Sequence, residues 1–192
     1  SRNHYSALHH GNDYYGDRHP APSPSLNSTL IPEFRMARLL HELLLEQASQ
    51  HPAAIALVHR HTALDYAVLA RQIEVVGRGL RALNLNRAER VAVYLPKQPE
   101  TVVALFGVAL AGGVFVPINP LLKPEQVAYI LRDCNVRILI TARARADLLE
   151  SALTDCPDLH TLVLTDDAAS MPQRPRHGQA LSWAALLDPA SG

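Results

Sequence analysis

A chain of 192 residues that is 48% apolar but only 5% aromatic has material for one α/β domain with an aliphatic core, and is short for two. Lysine plus arginine number 18 and aspartate plus glutamate 18, so no net field gathers nucleic acid or an anionic membrane, and those partner classes are excluded. No apolar run reaches the ~20 residues of a membrane helix, and the N-terminus lacks the zones of a secretory signal, which predicts a cytoplasmic protein with no membrane span.

Residues 1–35 hold His4, His9, His10 and His19 together with Pro20, Pro22, Pro24 and Pro32 among Ser, Asn and Gly. No helical or strand period survives there, and the apolar content is too low to offset the entropy of ordering. The expectation is a disordered leader, an expression tag ending near the Glu33-Phe34 pair, with Met36 as the natural start. A native disordered arm is the alternative. Residues 36–192 read as one α/β domain without an internal boundary or repeat.

The first helix is expected over 39–49, with Leu40, Leu43 and Leu44 as its apolar stripe and Leu39 beside them. His51-Pro52 closes it, because proline disfavours helix in the residue before it. Residues 55–58 and 62–65 read as short strands around the turn His59-Arg60-His61. The clearest helix follows over 66–83. Its Leu69, Ile73, Val76, Leu80 and Leu83 recur at steps of four and three, and so share one face.

Strand–helix units then alternate. Residues 91–95 form a continuous apolar run, as in a strand covered on both faces. Pro99 and Glu100 suit a first helical turn, and the helix to Ala111 is apolar nearly all round, which predicts deep burial. Gly112-Gly113 ends it, and 114–117 is the next strand. Pro124-Glu125 opens a helix expected to bury Val127, Ile130, Leu131 and Cys134. A strand at 136–141, a helix at 145–153, a strand at 159–164, a polar loop at 168–179 and a short element at 181–187 complete the chain. The fold class is therefore α/β, a mostly parallel sheet with helices on both faces and right-handed crossovers.

Candidate chemistry is sparse. Gly77-Arg-Gly79-Leu-Arg-Ala82 fits the G-x-G-x-x-G/A pattern of dinucleotide loops, which keeps an NAD(P)-binding oxidoreductase domain as one alternative. The apolar stripe runs through both glycines, however, so the context is mid-helix, and Pro96-Lys97 stands where a ribose-binding acid belongs. Packing of a neighbouring helix is the plainer use of these glycines. His59 and His61 lack the further ligands of a zinc site. His41-Glu42 lacks the second histidine of a metalloprotease helix, since Leu45 stands there. Cys134 has core spacing and no placed base. The only two cysteines, Cys134 and Cys156, are too few for a disulfide framework, in keeping with a reducing compartment. No nucleophile elbow or Walker-type loop occurs, so the candidate catalytic, cofactor-binding and metal residues number none.

An ordered set of segments adds what spacing cannot. Leu64-Asp-Tyr66-Ala-Val-Leu69 precedes a long helix, and Glu89-Arg90-Val91-Ala-Val-Tyr-Leu-Pro96 follows it. Then come Pro99-Glu100-Thr101, the block from Ala109 through Gly112, Pro117 and Asn119 to Pro120, Pro124-Glu125-Gln126, Tyr129-Ile130-Leu131 and Ile138-Leu139-Ile140-Thr141. Together they resemble the N-terminal portion of an AMP-forming acyl-CoA ligase of the adenylate-forming, AMP-binding superfamily, over about 39–164. Departures are the stretch Asn84 to Glu89 in place of a Gly turn and Gly-Asp, Lys97 for a common asparagine and Ala111 for a common lysine.

The resemblance implies an acid–thiol ligase reaction. A small-molecule carboxylate and ATP with Mg²⁺ give acyl-AMP and pyrophosphate, and the thiol of CoA then displaces AMP. In the family the phosphate loop, the ribose and metal acids and a catalytic lysine lie further along, so the chain is expected to stop short of the phosphate loop. It is expected to be inactive alone and to bind none of these cofactors tightly. Asn119-Pro120-Leu121-Leu122 resembles acyl- or aryl-CoA ligases, whereas carrier-protein adenylation domains, the other adenylate-forming alternative, more often carry an acid at position 119. A stand-alone interaction domain that kept the fold and lost the chemistry is a further alternative. Apolar faces meant for a missing part would favour self-association.

Overall fold

The computed structural model describes residues 39–166 and 178–188. The expected leader at 1–35 and most of the loop at 168–179 lie outside the described residues. In chain order the elements are α1 (Leu40–Gln50), β1 (Ile55–His59), β2 (Thr62–Asp65), α2 (Tyr66–Ala82), β3 (Arg90–Tyr94), α3 (Pro99–Ala111) and β4 (Val114–Pro117). They continue with α4 (Pro124–Asp133), β5 (Val136–Thr141), α5 (Arg143–Leu153), β6 (Thr161–Leu164), β7 (Gln179–Ser182) and α6 (Trp183–Leu187). The expected alternation is present, and the short last element resolves into a strand followed by a helix.

Five strands pair in the order β4-β3-β5-β6-β7, every neighbouring pair parallel. β1 and β2 form a separate antiparallel hairpin, whose His59–Thr62 pair closes a turn through Arg60 at φ 53°. Helices cover both faces of the sheet. Val91, Val93 and Leu95 of the β3 region meet Ile73, Val76, Val103 and Val108 of α2 and α3 in one core. The alternate residues Ala92 and Tyr94 meet Val127, Leu131 and Leu149 of α4 and α5 in another. The period of two along one strand thus feeds two cores, and hydrophobic burial on both sides is what holds the layers together.

Local chemistry sets the ends of α2. Asp65 accepts a hydrogen bond from the Val68 N–H at 2.7 Å, a side-chain N-cap. At the other end Asn84 takes the left-handed conformation (φ 59°), and the Leu85 N–H reaches back to the Leu80 carbonyl at 3.2 Å. This is a Schellman-type stop with asparagine in the glycine position. Asparagine in the glycine position therefore keeps the turn.

Three burial expectations need correction. The inner face of α1 is His41, Leu44, Leu45 and Ala48, while Leu39, Leu40 and Leu43 are exposed. Five leucines within the seven residues 39–45 leave two apolar stripes, and only docking on α2 and α3 chooses between them. α3 buries Val103, Ala104, Gly107 and Val108, but Val102, Leu105 and Phe106 are only half-buried. On α4 the buried trio is Val127, Ala128 and Leu131, with Ile130 and Cys134 half-buried, because Cys134 stands at the C-cap.

Candidate functional site

The chain leaves β3 over one face to form β4 on its outer side, then returns over the other face to form β5 on its inner side. The strand order therefore reverses between β3 and β5. In open α/β sheets ligands collect beyond the carboxyl ends of the strands at such a reversal. Two features occupy that end of the sheet here.

The first is a set of cross-braces. The Thr141 hydroxyl donates to the Tyr94 carbonyl at 2.8 Å, and the Tyr94 hydroxyl donates to the Leu122 carbonyl at 3.1 Å. The Arg145 guanidinium lies 4.9 Å from the centroid of the Tyr94 ring and donates to the Pro120 carbonyl at 2.5 Å. The Thr101 hydroxyl donates to the Pro96 carbonyl at 2.7 Å. Next to them the Arg143 N–H donates to Asp166 Oδ1 at 2.7 Å, and its side chain pairs with Asp147 at 2.7 Å. These bonds tie the loop at 119–122 to β3 and to the start of α5. The polar groups are engaged within the protein, and the arrangement positions backbone.

The second feature is an open cleft of about 490 Å³ between the β1–β2 hairpin, α2, the first turn of α3 and α6. Leu64, Val103, Trp183 and Leu187 are its apolar lining, the last three continuous with the first core, and Arg60, Gln72, Gln98 and Glu100 stand among its polar lining. Its size falls in the roughly 300–1,000 Å³ range of small-molecule sites. Sequence reading missed it, since residues 60, 100 and 183 meet only through tertiary packing. The one available signal was Trp183, the single tryptophan of the chain.

The dinucleotide alternative is overturned. Gly77 and Gly79 lie inside α2 and are buried, with no strand–turn–helix around them. A Cβ at Gly79 would sit 2.0 Å from the Leu186 carbonyl oxygen, and one at Gly77 would sit 3.2 Å from Leu110 Cδ2. Facing them, a Cβ at Gly107 of α3 would meet Val76 Cγ1 at 2.6 Å. The glycines permit close approach of α2, α3 and α6. His59 lines the cleft, whereas His61 is exposed and is not among its lining residues. Cys134 and Cys156 are both free thiols.

Two groups titrate away from their ordinary values. Burial pulls the Glu89 carboxyl up, but the Asn86 N–H and side chain, with Arg137 and Arg90, outweigh it and hold the carboxyl below its ordinary value of 4.5. Its Oε2 accepts from the Asn86 N–H at 2.8 Å, and its Oε1 lies 3.3 Å from Arg137 Nε. Burial raises the Cys156 thiol, which packs against the carbonyls of Ala128 and Ala152 at 3.8 and 3.7 Å. A thiol held protonated in this way is a packing group, not a nucleophile.

Among the described residues no three His, Cys, Asp or Glu side chains come together as metal ligands. Gly77, Gly79 and Gly107 are committed to helix contacts and Gly112 to a helix cap. No helix among the described residues is long and apolar enough to cross a membrane.

Comparison with known proteins bears on the whole arrangement. Tyrocidine synthase 3 of Brevibacillus parabrevis is 31% identical over 137 residues, 70% of this chain but 2% of that protein. The N-(5-amino-5-carboxypentanoyl)-L-cysteinyl-D-valine synthase of Penicillium rubens is 28% identical over 141 residues, 73% of this chain and 4% of that protein. This chain therefore spans only a small part of the curated relatives it matches. The crystal structure of an anthranilate CoA ligase in complex with anthranoyl-AMP superposes with a TM-score of 0.68 at 24% identity, over 79% of this chain and 28% of that one. That likeness establishes the fold. The family of AMP-binding enzymes matches residues 44–189, and with the parallel sheet, its order of strands and the aligned relatives this places the chain in the AMP-binding, adenylate-forming enzyme family.

Proposed function

We propose that this chain is the N-terminal α/β part of an ATP-dependent ligase that activates a carboxylic acid as its acyl-adenylate. The observation that carries the reading is the family match over residues 44–189. In the proposed reaction a carboxylate oxygen bonds to the α-phosphorus of ATP and pyrophosphate leaves. A thiol sulfur then bonds to the acyl carbon, AMP leaves, and the thiol proton passes to solvent. ATP with Mg²⁺ supplies the leaving group and its charge neutralisation. The residues described here contribute scaffold: the β3–β5 end of the sheet and its Tyr94–Thr141–Arg145 braces hold a wall in place.

Two acceptors compete. Carrier-bound thiols are supported by the sequence relatives, one of which names aminoacyl units, cysteinyl and valine, in its product. That supports an amino acid as the acid activated. CoA is supported by Asn119, which stands where carrier-protein enzymes more often have an acid. Pyrophosphate exchange by the full-length gene product, with amino acids and with aryl and fatty acids in turn, tests the reading. Exchange with none of them would overturn it, and formation of a CoA thioester would select the second acceptor.

The described chain alone is proposed to be inactive and to bind ATP weakly, a view supported by its matching only 2–4% of the length of such relatives. Calorimetry of ATP–Mg²⁺ on this chain should show no saturable heat, and tight binding would place chemistry in it. Self-association belongs to the same proposal, supported by the exposed Leu40, Leu43 and Leu121. Light scattering reads it, and a monomer at every concentration would reject it.

A further inference from the structure

We propose that the cleft between the β1–β2 hairpin, the first turn of α3 and α6 binds a small zwitterion, an α-amino acid with an apolar side chain. Three observations lead there. The first is place and size: a cleft of about 490 Å³ opens at the carboxyl end of the sheet, where Gln98 and Glu100 follow β3 and Trp183 follows β7.

The second is the state of its polar groups. Arg60, Gln72, Gln98 and Glu100 make no side-chain hydrogen bond or ion pair to protein among the described residues. At the neighbouring switch point, by contrast, Tyr94, Thr101, Thr141 and Arg145 all find protein partners. The cleft keeps its donors and acceptors available to something that enters it. Arg60 in particular is placed by the left-handed backbone at the hairpin tip.

The third is the balance of charge. One guanidinium and one carboxylate, with the His59 imidazole beside them, line a cleft whose apolar lining is Trp183, Val103, Leu64 and Leu187. A ligand carboxylate pairs with Arg60 as a charge-assisted fork, and a ligand ammonium pairs with Glu100. An apolar or aromatic side chain packs on Trp183. A nucleotide or other polyanion is disfavoured, because Glu100 already sits in the first turn of α3, where the helix dipole would draw a phosphate. The inference does not rest on adenylation: no group in the cleft acts on phosphate, and its test contains no ATP.

Trp183, as the only tryptophan, makes the cleft its own reporter. L-phenylalanine titrated into the chain should change Trp183 emission saturably, and calorimetry should give the same affinity. 3-Phenylpropionate, lacking the amine, and 2-phenylethylamine, lacking the carboxylate, should each bind about tenfold or more weaker. Arg60→Gln and Glu100→Gln should weaken L-phenylalanine by a similar factor while circular dichroism stays unchanged. Neither side chain has a bond to lose, so both variants should fold. Absence of saturable heat with L-phenylalanine, equal binding by both variants, or 3-phenylpropionate matching L-phenylalanine would each overturn the assignment. Failure of adenylation is read separately, by pyrophosphate exchange.

Discussion

Gly79 of α2 lies so close to Leu186 of α6 that a Cβ on it would stand 2.0 Å from the Leu186 carbonyl oxygen and 2.9 Å from its Cδ1. The contact joins a helix from the front of the described chain to its last helix, 107 residues on. It involves backbone, which cannot rotate away as a side-chain tip can. Gly79→Ala should therefore displace α6 and cost about 1–3 kcal/mol. The urea midpoint should fall and Trp183 emission should shift, since Trp183 opens α6. An unchanged midpoint would mean that α6 docks less closely than this. NAD titration of the parent chain should give no saturable signal.

His41 is 9% exposed on the inner face of α1, and its Nδ1 has no hydrogen-bond partner among the described residues. A buried polar atom without a partner costs roughly 1–3 kcal/mol. His41→Leu removes that cost and adds apolar contact with the first core. It should stabilise the chain by about 1 kcal/mol, read as a higher urea midpoint with an unchanged slope. A lower midpoint would show that the imidazole is satisfied.

Glu89→Gln should couple stability to pH. The Glu89 side chain is 22% exposed and its carboxyl is held below the ordinary 4.5 by Asn86, Arg137 and Arg90 against the pull of burial. A depressed folded value means stabilisation that is present above pH 4.5 and lost as pH falls through the lower folded value. Near pH 7 the variant should be less stable by about 1 kcal/mol, a charge-assisted bond discounted for its partial solvent access. Below pH 4.5 the difference between the proteins should shrink towards zero. A difference independent of pH would assign the effect to shape instead of charge.

Periodicity carried the elements furthest where one face was unambiguous. Leu69, Ile73, Val76 and Leu80 are all fully or nearly fully buried, as their spacing required, whereas Leu83, the fifth of the stripe, is half-buried at the C-cap. It failed on α1, where leucines occupy two faces and a histidine, not Leu40 or Leu43, turned inward. The absence of a nucleotide loop at Gly77 and Gly79 was readable from the unbroken stripe. What those glycines touch was not, because Leu110 and Leu186 arrive from α3 and α6.

The amino-acid sequence by itself determined the α/β class and the alternation of strands with helices, because strand runs, caps and turns are properties of neighbouring residues; the family was legible only through the resemblance of an ordered set of segments. Only the tertiary structure decided the strand order, the face that each helix buries and the cleft that gathers Arg60, Glu100 and Trp183. Those depend on contacts between residues tens of positions apart, whose pairing is selected by the burial of whole faces and leaves no local mark in the chain.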